Sequence, residues 1–461
     1  MIKKPLSIMA ILLIAINSFG KITLPSVFTD NMVLQQNTEV AIWGWGEPNE
    51  KIALVGSWKN TDTIKVTTSN NARWIAHIKT MNAGGPYTLK ISGSSKIELQ
   101  NVMLGEVWIC SGQSNMEMSV NWGIKNGNEE AAQANYPNIR FFHITKMGSS
   151  TLQDDCKAKW EICTPQTMRA TSAVGYFFGR ELMQKLNVPI GLIVTAWGGT
   201  PAEVWTPKEK IDNDPILNAN RIDREYDWWP TKAGVTYNSM IHPIVPYGIA
   251  GAIWYQGEAN VTKPAYYAQL MKTLITSWRE NFGKEFPFYF VQIAPFTYSN
   301  EEYAYLLREQ QQKMMEIPKT GMVIIGDLVD DVKDIHPKNK TDVGVRLANW
   351  ALNDTYGLKT APYKNPSFES IRILKNSVEV TFKNAEGGLI STGKSPQRFV
   401  IAGNDRKFIP AKATIDGNRV ILFVKEIKNP VAVRFCFDNA TTPDLFGKSG
   451  LPVAPFRTDN W

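Results

Sequence analysis

Between Leu104 and about residue 358, short, mostly apolar runs alternate with stretches of helical periodicity, and this rhythm constrains the fold more than any other feature of the chain. Residues 106–110, 190–196, 251–255, 288–294 and 321–326 are largely apolar on both alternating faces, the pattern of strands buried on two sides. Between them, residues 173–186 read as a helix. Tyr267, Met271, Leu274 and Trp278 recur at intervals of three and four, marking one face of a helix that begins after Pro264, and a last helix is expected over 341–356. Strand–helix alternation implies a parallel sheet covered by helices on both faces, with ligands bound beyond the carboxyl ends of the strands. The loops that follow strands are therefore where chemistry is expected.

The flanks have a different rhythm. Residues 39–44, 51–56, 62–67, 74–78, 87–91 and 96–102 alternate with period two between Gly, Asn, Pro and Ser clusters, as in a small β-sandwich. Strands return at 367–374, 377–382, 399–402, 413–416, 419–424 and 431–437, with an Asp416-Gly417-Asn418 turn. The expected organisation is a β-sandwich-like segment over 21–103, an α/β segment over 104–358 and a β-rich segment over 359–461. Residues 1–20 read as a signal peptide: Lys3 and Lys4 precede an apolar run from Leu6 to Ile16, and Ser18-Phe19-Gly20 supplies small residues for cleavage near Gly20. Export to the periplasm or the extracellular space follows. That run is too short to span a bilayer comfortably, and no later stretch approaches eighteen apolar residues without charge, so no membrane span is expected.

Composition removes other classes. Of the 461 residues, 43% are hydrophobic and 20% charged, which excludes a largely disordered chain. The formal charge of +7 is spread among interleaved acids and bases, so no nucleic-acid partner is expected. Four cysteines are too few for a disulfide scaffold. Cys156 and Cys163 are close enough in sequence for one local bridge in an exported protein, whereas Cys110 and Cys436, in apolar runs, read as buried free thiols. No Cys/His spacing fits zinc, and neither a metal nor a cofactor is expected. Nothing in the pattern speaks to oligomeric state.

Four motifs each follow a separate apolar run. Gly112-Gln113-Ser114-Asn115 puts a serine at a strand-to-helix turn, where a nucleophile and free backbone N–H groups can coincide; the bland alternative is a serine that caps the helix. Asp334-Ile335-His336-Pro337 offers a base and a carboxylate in one loop. In Trp254-Tyr255-Gln256-Gly257-Glu258-Ala259-Asn260, the Gln256 amide could serve a developing oxyanion and Gly257 could admit substrate to the backbone. Glu258, with Glu117 as its nearest partner by layout, would suit a glycosidase. Ala196-Trp197-Gly198-Gly199-Thr200-Pro201 can turn a backbone N–H toward a ligand. His77 and His143 lie in strand-like runs and read as structural; His242, before Pro243, stays a binding candidate. The 15 tryptophans would also suit a non-catalytic glycan-binding protein, although that leaves the Ser, Gln and His motifs unexplained.

These blocks, running from Gly112 to Met118, through Gly198-Gly199-Thr200-Pro201 with Glu203 and Trp205, Trp254 to Glu258 and Asp334 to Pro337, resemble the signatures of the sialate O-acetylesterases, within the SGNH-type hydrolases. The similarity extends to Ile42-Trp43-Gly44-Trp45 and to the tail around Pro455-Phe456-Arg457-Thr458-Asp459, so it spans nearly the whole chain after residue 20. It implies a flavodoxin-like α/β core and a serine esterase that removes O-acetyl groups from carbohydrate, most simply sialic acid, with acetylxylan or another polysaccharide as the alternative. It further implies Ser114 as nucleophile, His336 as base and acid, Asp334 as its carboxylate, and an oxyanion hole from the N–H groups of Ser114 and Gly199 and the side chain of Gln256. Asn115, Glu258, Trp205 and His242 are candidates for substrate binding. Two departures from the wider superfamily stand out: Lys333 occupies the position three before the histidine where an Asp is usual, and Gln256 replaces an Asn.

Overall fold

The computed structural model describes residues 21–59, 62–222, 224–359 and 361–461; the expected signal peptide lies outside them. The N-terminal segment contributes β1 (Val33–Gln35), β2 (Glu39–Trp45), β3 (Lys51–Gly56), β4 (Ile64–Thr67), β5 (Arg73–Lys79), β6 (Gly84–Ser92) and β7 (Lys96–Gly112). The strand β2 pairs with β5, and β3 with β4 and β6, all antiparallel. Strand β7 is 17 residues long: its first part pairs with β6, and its second, wholly buried part enters the next sheet. The rhythm changes at Leu104 without a break in the backbone.

That next sheet holds β8 (Tyr136–His143), β9 (Trp160–Cys163), β10 (Ile190–Ala196), β11 (Gly251–Tyr255), β12 (Phe288–Val291) and β13 (Thr320–Val323), in the order β13-β12-β11-β7-β10-β8-β9. Every pairing is parallel except β8 with β9. The main covering helices are α2 (Ala173–Leu186), α3 (Tyr267–Phe282), α4 (Ala304–Lys313) and α5 (Lys340–Trp350); a short α1 (Ser114–Glu117) follows β7. One apolar cluster runs from Ile22 and Val33 through Trp254 and Trp278, joining the N-terminal strands to one face of the sheet; a second, with Trp108, Phe178 and Leu347, fills the other. Trp108 is fully buried, packs edge-on against Phe178 and stacks on Tyr289.

After residue 361 two antiparallel four-stranded sheets pack over a third core containing Val380, Phe399, Leu422 and Phe435. All four cysteines are buried free thiols. A Cys156–Cys163 bridge is therefore absent, because the two residues belong to different clusters on opposite faces of the sheet. Among the described residues no helix is long and apolar enough to cross a membrane, and no group of His, Cys, Asp and Glu is arranged to hold a metal ion.

Candidate active site

Register brings the motifs together. Gly112 at the end of β7 is level with Ala196 at the end of β10 and with Tyr255 at the end of β11. The backbone continues the match past the strands, with Gln113 N–H bonded to Tyr255 O at 3.0 Å and Trp197 N–H to Gly112 O at 3.1 Å. Three of the loops singled out in the sequence thus leave the sheet at one level, and the loop before α5 closes over them. They line a cavity of about 870 Å³ whose wall includes Ser114, Gly199, Glu258, Trp122, Trp228 and His336.

Ser114 does not cap its helix: Gln113 occupies the cap position and no side chain caps there. The hydroxyl lies instead 2.9 Å from His336 Nε2. Asp334 Oδ1 is 3.9 Å from His336 Nδ1 and accepts the His336 backbone N–H at 2.9 Å, so the carboxylate both faces the ring and holds the loop. With the ring proton on Nδ1, toward that carboxylate, Nε2 is the acceptor and Ser114 the donor. Burial pushes the His336 pKa down, Lys340 pushes the same way, and Asp334 opposes both. A lowered imidazole is neutral at neutral pH and can take a proton. Trp122 meets the ring edge-on.

The glycine loop is fixed by an acid. Glu117 Oε2 accepts the Gly198 N–H at 2.7 Å while Oε1 pairs with Lys146. Gly199 sits at φ +79, and a Cβ there would run into the Trp229 ring. Among the described residues neither the Ser114 nor the Gly199 N–H has a hydrogen-bond partner, which leaves two unused donors on residues of the cavity wall.

Two expectations need correction. Gln256 is buried behind the cavity, not in its wall: Nε2 donates to Thr200 O at 3.2 Å and Asn260 Oδ1 at 2.8 Å, and Oε1 accepts from Tyr267. Its amide holds the Gly199–Thr200 turn, because both amide hydrogens are engaged. Gly257 does not open the backbone to substrate either, since the space beside its Cα is filled by Ile293 and Leu307.

The other candidates divide. Asn115 is buried and joins three elements: Nδ2 donates to Glu258 Oε1 at 2.6 Å and to Ile335 O at 3.1 Å, and Oδ1 accepts from Lys340 Nζ at 2.6 Å. Glu258 lines the cavity, its pKa is raised by burial, and its Oε2 has no partner among the described residues. Trp205 is fully buried, donating to Thr200 Oγ1 and packing on Trp254, and is a core residue. His242 bonds Gln153 O through Nδ1 and lies outside the cavity wall. Sequence reasoning missed Lys340, Arg224 and the aromatic run Tyr226, Trp228 and Trp229. Lys340, four residues after His336, falls on the first turn of α5, and consecutive aromatics in a polar stretch without periodicity were a readable sign of an exposed platform.

A neutral histidine on a serine hydroxyl, at the carboxyl edge of a helix-covered parallel sheet, is the layout of an α/β ester hydrolase. Residues 104–353 match the family described as carbohydrate esterase, sialic acid-specific acetylesterase. The chain belongs to that family, and it is an esterase acting on O-acetyl esters of carbohydrate. It is 34% identical to a carbohydrate acetylesterase from Xanthomonas citri of known structure, with a TM-score of 0.87 over 96% of this chain and 100% of that one. The human sialate O-acetylesterase is 29% identical over 94% of this chain and 91% of its own length, and the Mus musculus enzyme 28% identical over 93% of each.

Proposed function

We propose that the protein is an exported sialate O-acetylesterase that works through an acetyl-serine intermediate. The observation that carries the mechanism is the 2.9 Å contact between Ser114 Oγ and His336 Nε2 at the cavity wall. Ser114 attacks the acetyl carbonyl as Nε2 takes its proton, and Asp334 balances the imidazolium that forms. The N–H groups of Ser114 and Gly199 receive the oxyanion, with Gln256 positioning the Gly199 turn from behind. The sugar oxygen leaves with the proton from His336, and water, deprotonated by the same ring, releases acetate and restores Ser114. This chemistry belongs to the segment 104–358, with the segments 21–103 and 359–461 as β-rich flanks.

Sialic acid is favoured by the family description and by the names of the human and mouse relatives. The charged start and short apolar run of residues 3–16 support export. A second reading, an acetylated neutral glycan such as xylan, is favoured by the aromatic wall, in which Trp228 is 67% and Trp122 46% exposed. A glycosidase is disfavoured: Glu117 is engaged by Gly198 and Lys146, and Glu258 by Asn115. Acetate release from 9-O-acetyl sialic acid and from acetylated xylooligosaccharide decides between the two esters. Faster turnover of the sialic acid supports the first reading; turnover of the xylooligosaccharide alone overturns it.

A further inference from the structure

Three cations line the cavity, and two of them are engaged. Lys146 is ion-paired to Glu117, and Lys263 Nζ donates to Arg221 O at 2.9 Å. Arg224 differs: among the described residues no carboxylate lies within ion-pair distance of it, and its guanidinium sits 4.9 Å over the ring of Tyr226. Tyr226 in turn packs on Trp229 at 4.8 Å between ring centroids, and Trp229 closes against Gly199. The arginine is thus the outermost member of a stack that begins at the glycine turn beside Ser114.

The acids of the wall do not cancel it. Each is directed elsewhere: Glu117 pairs with Lys146, Glu258 accepts from Asn115 in the buried group behind the wall, and Glu302 accepts from the Ser299 N–H and hydroxyl. A guanidinium held on an aromatic face keeps its planar fork of N–H donors, which matches the two oxygens of a carboxylate. Arg224 and Ser114 line one cavity of about 870 Å³, which has room for a whole sugar.

We propose that Arg224, held on Tyr226, binds the carboxylate of an acetylated sugar acid and so selects acidic over neutral sugars. The inference rests on the sialate reading above and names the residue that reading requires. Tyr226 and Trp229 serve as the support that keeps the guanidinium in place, and the exposed Trp228 beside them offers an apolar face to the sugar ring.

The test is acetate release from 9-O-acetyl sialic acid and from its carboxylate methyl ester, by the wild-type protein, Arg224→Gln and Arg224→Lys. The wild type should prefer the free acid by about ten- to a hundred-fold in kcat/KM, the size of a charge-assisted hydrogen-bonded contact. Arg224→Gln should bring that ratio close to one, chiefly through KM for the acid, and Arg224→Lys should recover part of it. A wild type that treats acid and methyl ester alike, or an Arg224→Gln variant that keeps the wild-type ratio, overturns the assignment while leaving the sialate reading in place. If neither form is cleaved and acetylated xylooligosaccharide is, the sialate reading itself falls and takes the assignment with it.

Discussion

Lys340 donates its ammonium to Asn115 Oδ1 at 2.6 Å, while the amide of the same Asn115 donates to the carbonyl of Ile335. The loop that presents His336 is therefore fastened on both sides of the histidine to the residue that follows Ser114. Glu258 completes the buried group from a third strand end. A separation of 2.9 Å between two side chains 222 residues apart depends on such fastening, because a misplacement of about 1 Å can cost a hundred-fold in rate.

Asn115→Ala should expose this directly. It leaves Lys340 and Glu258 buried without their shared partner, a loss of about 1–3 kcal/mol per stranded group. Turnover should fall by roughly ten- to a hundred-fold with KM little changed, since the Asn115 amide is spent on Glu258 and on the loop that carries His336 and does not line the cavity. Thermal unfolding and steady-state kinetics on one preparation check both parts; wild-type kcat with a lowered Tm would confine Asn115 to a structural role.

The pH dependence has a sign fixed by the charges around His336. The proposed mechanism needs the neutral ring, and its pKa is lowered, first by burial and then by Lys340, with Asp334 opposing. The acid limb of kcat/KM should lie below the ordinary imidazole value. Lys340 is itself pushed down to about 7 by burial, so its charged form gains as the pH falls along that limb. Lys340→Met removes a cation and should move the limb to higher pH; Asp334→Asn removes an anion and should move it lower. Movement in the opposite directions would mean that the limb reports another group.

Gly199 and Gln256 should fail in different ways. At φ +79, with Trp229 where a Cβ would go, Gly199→Ala displaces the N–H proposed to receive the oxyanion, and kcat should drop by about a hundred-fold or more. Gln256→Leu leaves Thr200 O without its donor and takes one of two hydrogen bonds from Asn260 Oδ1 and from the Tyr267 hydroxyl, so its main effect should be a lowered Tm. Comparing kcat with unfolding for both variants separates donor from support; a larger kcat loss at Gln256 than at Gly199, with stability intact, would return the amide to the oxyanion.

Strands β7, β10, β11, β12 and β13 and the motif loops were legible because a strand buried on two sides is largely apolar and a parallel sheet gathers its loops at one edge; β8 and β9, with Arg140 and Glu161 among their residues, were not. Helix α4 was not, since its buried face carries Arg308 and Gln311, and Gln311 spends its amide on Gln256 O and Val291 O. A polar side chain that satisfies backbone inside the core leaves no apolar period to read. The role of Gln256 was obscured for a related reason: its sequence position fits an oxyanion donor, and only the hydrogen bonds it makes show that its amide is engaged elsewhere. Lys340 could not be assigned from sequence, because a lysine on the first turn of a helix is ordinarily solvated, and its burial follows from where Asn115 and Tyr255 lie.

Ser114 and His336 should behave as one unit. If the ring only lowers the cost of deprotonating Ser114, then either substitution removes the same step, and single variants at the two positions should each lose about a thousand-fold or more in kcat. The pair Ser114→Ala with His336→Ala should then be no slower than the worse single variant, because a base without its nucleophile has nothing to activate. Independent roles would instead multiply the two losses. Acetate release from an activated acetyl ester, with circular dichroism to establish that each variant is folded, gives the three rates; a double variant slower than the worse single variant by the other's full factor would break the unit into separate contributions.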